Sequence, residues 1–284
     1  MNQKLTTTDH NRDIAGLKYV YPVISRRAGG LSVGINFNIN NACNWRCVYC
    51  QVPDLVKGAA PEMDFVLLEQ ELRFFLNSVL TGDFYHKFDV PLAQRVIKDI
   101  AISGNGEPTS LKGFDQAVSL IAKIATELGI FAKSKFVLIT NGSLMHKQAV
   151  QTGLKILNNY QGQVWFKLDS ATVYGRKQLN DCPQTVEQVL KKLKLSSNLC
   201  ETHLQTCMLE YIGTDKTESE QDAYLDLVGK LRQQQIGIKK VMLYTVARPS
   251  LQPEAEALNK MSEAKMTCFA EKLKVLGYEV SVSP

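Results

Sequence analysis

The sequence predicts an α/β fold: a curved, barrel-like sheet of parallel strands with helices outside. Two observations carry this. Short β-like runs alternate with longer helical runs six times along the chain, and in several of the β-like runs every second residue is polar. Strand-then-helix repeats build parallel sheets, because a strand can return in the same direction only through a long crossover. A flat parallel sheet covered on both faces would read apolar throughout. Polar groups on one face therefore favour a sheet that curls around a cavity over a doubly wound one.

The elements follow in order. Strands are expected over residues 31–38, 98–103, 135–140, 163–169, 201–209 and 238–246, with a late strand over 278–282. Between them, apolar periodicity places helices over 63–80, 111–128, 144–159, 184–195, 219–235 and 253–276. In the first strand Gly34, Asn36 and Asn38 alternate with Val33, Ile35 and Phe37. Lys167 and Asp169 alternate with Phe166 and Leu168, and His203, Gln205 and Cys207 with Leu204, Thr206 and Met208. No Pro-, Gly- or Ser-rich linker divides the chain, so residues 1–30 read as an N-terminal lead, 31–250 as the barrel unit, and 251–284 as a helix and strand closing it.

Composition bounds the function. The chain has 284 residues, 45% hydrophobic and 21% charged, with a formal net charge of +5. That is enough apolar surface for a sizeable core and too little charge bias for disorder. No apolar run reaches the ~18–20 residues of a membrane helix, and the polar start MNQKLTTTDHNRD is no export segment, so a cytoplasmic protein is expected. Arg26-Arg27, Lys191/Lys192/Lys194 and Lys239-Lys240 are the only basic clusters, which neither demands nor excludes an anionic partner. Seven cysteines, an odd number, favour a reducing compartment and thiols kept for metal or redox chemistry.

Three of those cysteines carry the strongest signal. Directly after the first strand, Cys43, Cys47 and Cys50 form a Cys-x3-Cys-x2-Cys triplet within CNWRCVYC. A partial zinc site is the simplest reading, but structural zinc takes four ligands and no histidine lies nearby. Three thiolates on a four-iron cluster leave one iron without a protein ligand, open to chelation by a small molecule. CNWRCVYC, including Tyr49 before the third cysteine, resembles the cluster loop of the radical S-adenosylmethionine (radical SAM) superfamily. The resemblance implies a partial (β/α)6, TIM-like barrel and a [4Fe–4S] cluster on Cys43, Cys47 and Cys50. It further implies S-adenosylmethionine on the fourth iron and one-electron cleavage to a 5′-deoxyadenosyl radical that abstracts hydrogen from an unreactive C–H bond. The cofactor does the hard chemistry, while the protein positions and shields it.

Four further segments fit the same picture. Ser103-Gly104-Asn105-Gly106-Glu107-Pro108-Thr109 follows the second strand; as bare sequence it is a turn. It resembles the superfamily's Gly-Gly-Glu segment, which implies that Gly104, Asn105, Gly106 and Glu107 hold the methionine ammonium. Asn141 ends the third strand and Lys167-Leu168-Asp169 the fourth, both at carboxyl ends where open α/β sheets bind ligands. Asn141 and Asp169 are expected on the cosubstrate, with Asp169 on a ribose hydroxyl; the competing reading is turn chemistry and an internal ion pair. Lys167 and Arg248, the latter just before Pro249, are candidate substrate-facing cations.

GEPT, TNG, KLD and the Arg-Pro after strand six resemble the branch containing wyosine-tRNA synthases, which implies tRNA as a possible substrate. The sequence departs from that branch: residues 1–42 contain no cysteine for a second cluster, and Cys182, Cys200, Cys207 and Cys268 are too scattered to form one. They are expected to be packed thiols. His203 is expected as a satisfied interior histidine, His10, His86 and His146 have no evident partner, and Trp45 is expected to pack over the cluster. The resemblance also implies a reductant protein such as flavodoxin or ferredoxin. The alternatives are an activating enzyme for a glycyl-radical protein and a noncatalytic iron–sulfur or zinc module.

Overall fold

The computed structural model describes residue 5 and residues 14–25, 29–211 and 217–284; His10 and the Arg26-Arg27 pair lie outside them. An eight-stranded sheet runs in chain order: β1 (Val20–Ser25), β2 (Gly30–Asn36), β3 (Ile97–Ser103), β4 (Lys135–Thr140), β5 (Gln163–Lys167), β6 (Glu201–Cys207), β7 (Ile238–Tyr244) and β8 (Glu279–Ser283). β1 pairs antiparallel with β2, and every later neighbour is parallel. Besides a five-residue helix (Asp83–Lys87), the helices are α1 (Phe65–Thr81), α2 (Phe114–Glu127), α3 (Gln148–Asn158), α4 (Val173–Asn180), α5 (Val186–Leu199), α6 (Thr217–Gln233) and α7 (Glu263–Val275).

Local chemistry sets the helix ends. Asp64 caps α1 by accepting from the Leu67 N–H, and Gly82 in a left-handed conformation ends it. Thr185 and Gln188 form a reciprocal capping box on α5. Leu68, Leu72 and Leu76 of α1, and Val118 and Ile121 of α2, are wholly buried with Val33 and Ile35 of β2 in one core cluster. The alternate residues of the strands are left to the other, concave face, where Trp165 stands beside His203 and Lys167 beside Gln205.

The parallel α/β sheet is the one the alternating pattern predicts, with differences at both edges. β1 escaped prediction because Pro22 breaks its pattern; proline is tolerated on an edge strand, and β1 is one. The C-terminal strand β8 extends the sheet beyond β7, and among the described residues the edges β1 and β8 do not pair. The helix expected over 253–276 is shorter. A 3-10 turn (Ala255–Ala257) and a strand (Leu258–Lys260) pairing with Leu209–Tyr211 take the first part, and α7 begins only where Ser262 accepts from Lys265 N–H. The helix expected from 144 starts at Gln148, and α4, too short and polar to show periodicity, was not expected at all. Among the described residues no helix is long and apolar enough to cross a membrane.

Candidate cluster and cosubstrate site

The cysteine loop leaves β2 at its carboxyl end and pins itself by a short parallel pairing of Ala42–Cys43 with Val56–Lys57. It forms one wall of a cavity of about 360 Å³, within the range of small-molecule sites. Cys43, Cys47, Cys50 and Tyr49 line this cavity together with Gly104, Asn105, Gly106, Glu107, Asn141, Lys167 and Arg248. Residues from the carboxyl ends of five strands, β2, β3, β4, β5 and β7, thus meet at one place.

Glycine lets the two loops touch. Gly104 has φ +141°, and a Cβ there would stand 2.2 Å from Asn36 Oδ1; at Gly106 it would stand 2.0 Å from the Ala42 carbonyl oxygen. Amides then lace the contact: Asn105 N–H donates to Asn36 Oδ1 (3.0 Å), Asn105 Nδ2 to Asn41 Oδ1 (2.6 Å), and Asn38 Nδ2 to the Ala42 carbonyl (2.9 Å). Asn38 Oδ1 and Asn105 Oδ1 are left buried without a partner.

Glu107 is the knot of this flank. Only 2% exposed, it accepts from Thr109 N–H and Oγ1, from Thr140 Oγ1 (2.6 Å) and from Asn141 N–H (2.7 Å). Burial still outweighs these donors and raises its carboxyl above the ordinary glutamate range. Asn141 Nδ2 in turn donates to Asn44 Oδ1 (2.8 Å), and Asn44 Nδ2 to Ser143 Oγ (2.7 Å), tying β4's exit to the cysteine loop.

The opposite flank comes from distant chain. The last carbonyls of α4 accept from the loop, Asn180 O from Arg46 N–H (3.1 Å) and Leu179 O from Val48 N–H (2.9 Å). Ser250 Oγ donates to the Val48 carbonyl (2.7 Å), Leu251 N–H to that of Cys50 (2.9 Å), and Gln51 Nε2 to that of Arg248 (3.1 Å). Arg46 and Glu254 close this strap with a two-point ion pair at 2.8 and 2.6 Å.

Asp169 is engaged by three neighbours. It is absent from the cavity lining, and both its oxygens are occupied: Oδ1 accepts from Cys207 N–H (2.9 Å), and Oδ2 from Asn180 Nδ2 (2.8 Å) and Tyr49 Oη. The carboxylate thereby orients Tyr49. Lys167 does face the cavity, with Nζ 3.1 Å from Tyr244 Oη and 4.9 Å from the Tyr49 ring centroid. Burial opposes its charge, but the combined pull of Tyr244, Asp169 and Cys47 outweighs burial and holds the ammonium well above the ordinary lysine range.

His203 is buried outside the cavity lining with its Nε2 2.8 Å from Glu201 Oε1, the satisfied interior histidine expected. Its burial depresses the imidazolium, with Glu201 opposing. Trp45 lines the cavity beside the cysteines. Asn44, Asn180, Ser250 and Glu254 escaped sequence reading; only Asn44, next to Cys43, and Ser250, two after Arg248, carried a positional hint.

The donor set bears on which centre fits. All seven cysteines are free thiols. Among the described residues no three or more His, Cys, Asp or Glu side chains are arranged to hold a single metal ion. Zinc needs all its ligands on one ion, whereas a four-iron cluster takes each thiolate on a separate iron, so three thiols around one cavity fit the cluster. Burial pushes the Cys43 thiol up to about 12 and the Cys47 thiol up to about 11.

Comparison with known proteins agrees. The Radical SAM superfamily model matches residues 37–224. A radical SAM methyltransferase from Sphaerobacter thermophilus superposes with TM-score 0.60 at 12% identity, over 93% of this chain and 68% of that one. SuiB of Streptococcus suis bound to S-adenosylmethionine gives 0.57 at 13%, over 90% and 51%. TYW1 with a lysine–pyruvate adduct bound gives 0.55 at 14%, over 86% and 72%. At these identities the likeness is one of fold. A curated protein named GTPase Obg, from Brachyspira hyodysenteriae, is 26% identical over 259 residues, 86% of this chain but only 32% of that protein. The chain thus spans about a third of that relative, and it contains no Gly-x4-Gly-Lys-Ser/Thr phosphate loop. With the family model spanning well over half of its length, the chain belongs to the radical SAM superfamily, whose enzymes bind a [4Fe–4S] cluster and S-adenosylmethionine.

Proposed function

We propose that Cys43, Cys47 and Cys50 hold a [4Fe–4S] cluster and that the protein cleaves S-adenosylmethionine reductively to a 5′-deoxyadenosyl radical, which takes hydrogen from a substrate in the cavity. The observation that carries this is the convergence of the three thiols with the Gly104–Glu107 turn and Asn141 on one cavity. The bound cluster would supply the electron and the open iron. The chain's own work is positional. Gly104, Asn105 and Gly106 present backbone and amide groups to the cosubstrate, Glu107 fixes that turn against Asn141, and Tyr49 is held by Asp169. Lys167 and Arg248 put positive charge where an anionic part of a substrate would sit.

The residue ranges 1–30, 31–250 and 251–284 serve as working boundaries of lead, catalytic unit and C-terminal addition. Free thiols in odd number suit the reducing cytoplasm, where flavodoxin or ferredoxin would deliver the electron. Among substrates tRNA ranks first, on the resemblance to the wyosine-synthase branch and the net charge of +5. Its binding is expected to weaken steeply with salt as displaced counterions compete; no binding, or binding indifferent to salt, removes it.

The deciding assay is 5′-deoxyadenosine formation by anaerobically reconstituted protein with a reductant, beside Cys47→Ala treated identically. Product from the parent alone supports the proposal. Product from neither, with a verified four-iron cluster in the parent, points to a cluster-binding module without radical chemistry.

A further inference from the structure

We propose that Asn180 is a positioning residue for the cysteine centre: its side-chain amide fixes the Cys47 sulfur and, through an N–H···S hydrogen bond, raises the reduction potential of the cluster. This rests on the cluster assignment above and adds to it a residue that no motif contains.

Asn180 ends α4 and is wholly buried. Its Nδ2 stands 3.3 Å from Cys47 Sγ and 2.8 Å from Asp169 Oδ2, so both amide hydrogens have an acceptor. The opposite orientation of the amide would set Oδ1 against the Asp169 carboxylate, acceptor against acceptor, so the N–H groups face the sulfur. The side chain is not there for stability alone. Its Oδ1 is buried without a partner, a cost that a leucine of similar size would avoid.

The same residue holds the loop's backbone. The Asn180 carbonyl takes the N–H of Arg46 and the Leu179 carbonyl that of Val48, so the residues on both sides of Cys47 are tied to the end of α4. Cys43 differs: among the described residues its sulfur accepts from within its own loop, the Trp45 N–H at 3.4 Å. A donor to a coordinating sulfur stabilises the more negative, reduced cluster more than the oxidised one, which moves the potential upward.

The test uses the full chain, loaded anaerobically, with iron content measured and the midpoint potential read by EPR-monitored titration. Asn180→Leu and Asn180→Ser are expected to load a four-iron cluster whose midpoint shifts to more negative potential. In parental protein labelled with 15N in asparagine side chains, pulsed EPR of the reduced cluster should detect an amide nitrogen coupling that either variant loses. An unchanged midpoint in a loaded variant overturns the proposal, and so does the absence of any such coupling in the parent, which decides the matter even if neither variant loads. A parent that takes up no four-iron cluster overturns the functional assignment itself, a result distinguishable from both.

Discussion

The cysteine loop is gripped by two flanks of opposite character. On one side the Gly104–Glu107 turn meets it through close-packed backbone and a buried carboxylate with donors from Thr109, Thr140 and Asn141. On the other, α4 and the 248–254 strap reach it through helix-end carbonyls, one serine and an ion pair whose arginine side chain is 41% exposed. The first flank has no spare volume and pays for a buried charge. The second is assembled from chain about 130 to 210 residues away and is partly wet. Close packing is thus concentrated on the Gly104–Glu107 flank, and solvent exposure on the other.

Substitutions should reveal the asymmetry. The largest effect is expected from Gly106→Ala, whose new Cβ would meet a backbone oxygen at 2.0 Å that has no flexible arm to withdraw. A loss at the upper end of ~1–3 kcal/mol follows from overpacking, read by denaturant unfolding, together with reduced iron uptake. Glu107→Gln comes next: an amide N–H₂ would face the Asn141 N–H, donor against donor, for a loss of about 1–3 kcal/mol. Ser250→Ala removes one buried hydroxyl donor and should cost about 1 kcal/mol. Glu254→Gln, at a partly exposed pair, should cost roughly 0.2–1 kcal/mol and less in high salt.

The flanks also carry opposite pH signs. Glu107 is raised by burial, so the folded state keeps a proton that the unfolded chain releases, and its contribution falls as pH climbs from the ordinary glutamate value through the raised one. Glu254 is lowered, foremost by its bond to Arg46. Its contribution is present above the ordinary value and lost as pH falls through the lowered one. Stability-versus-pH curves of Glu107→Gln and Glu254→Gln should therefore depart from the parent in opposite directions; equal slopes would erase the distinction.

The two flanks differ just as much in how far the sequence disclosed them. Cys43, Cys47, Cys50, Gly104, Gly106, Glu107 and Asn141 sit at strand exits, and their chemistry is local, so spacing and residue type reveal them and the fold that gathers them. Asn180, Glu254 and the true partners of Asp169 depend on tertiary packing that periodicity does not encode. α4 has too few apolar residues to announce itself, and the apolar residues after Pro253 imitate a helix while forming a turn and a strand. The place of Asp169 at a strand end fits both a ligand contact and an internal pair, and sequence alone does not name its neighbours in space, Tyr49, Asn180 and Cys207.

The most direct measurement of the central claim is Mössbauer spectroscopy of the 57Fe-reconstituted protein before and after adding S-adenosylmethionine. Three cysteines on four irons predict that one iron of the four changes its parameters while the other three hold theirs. A spectrum unmoved by saturating S-adenosylmethionine, or iron present only as mononuclear sites, would contradict the account.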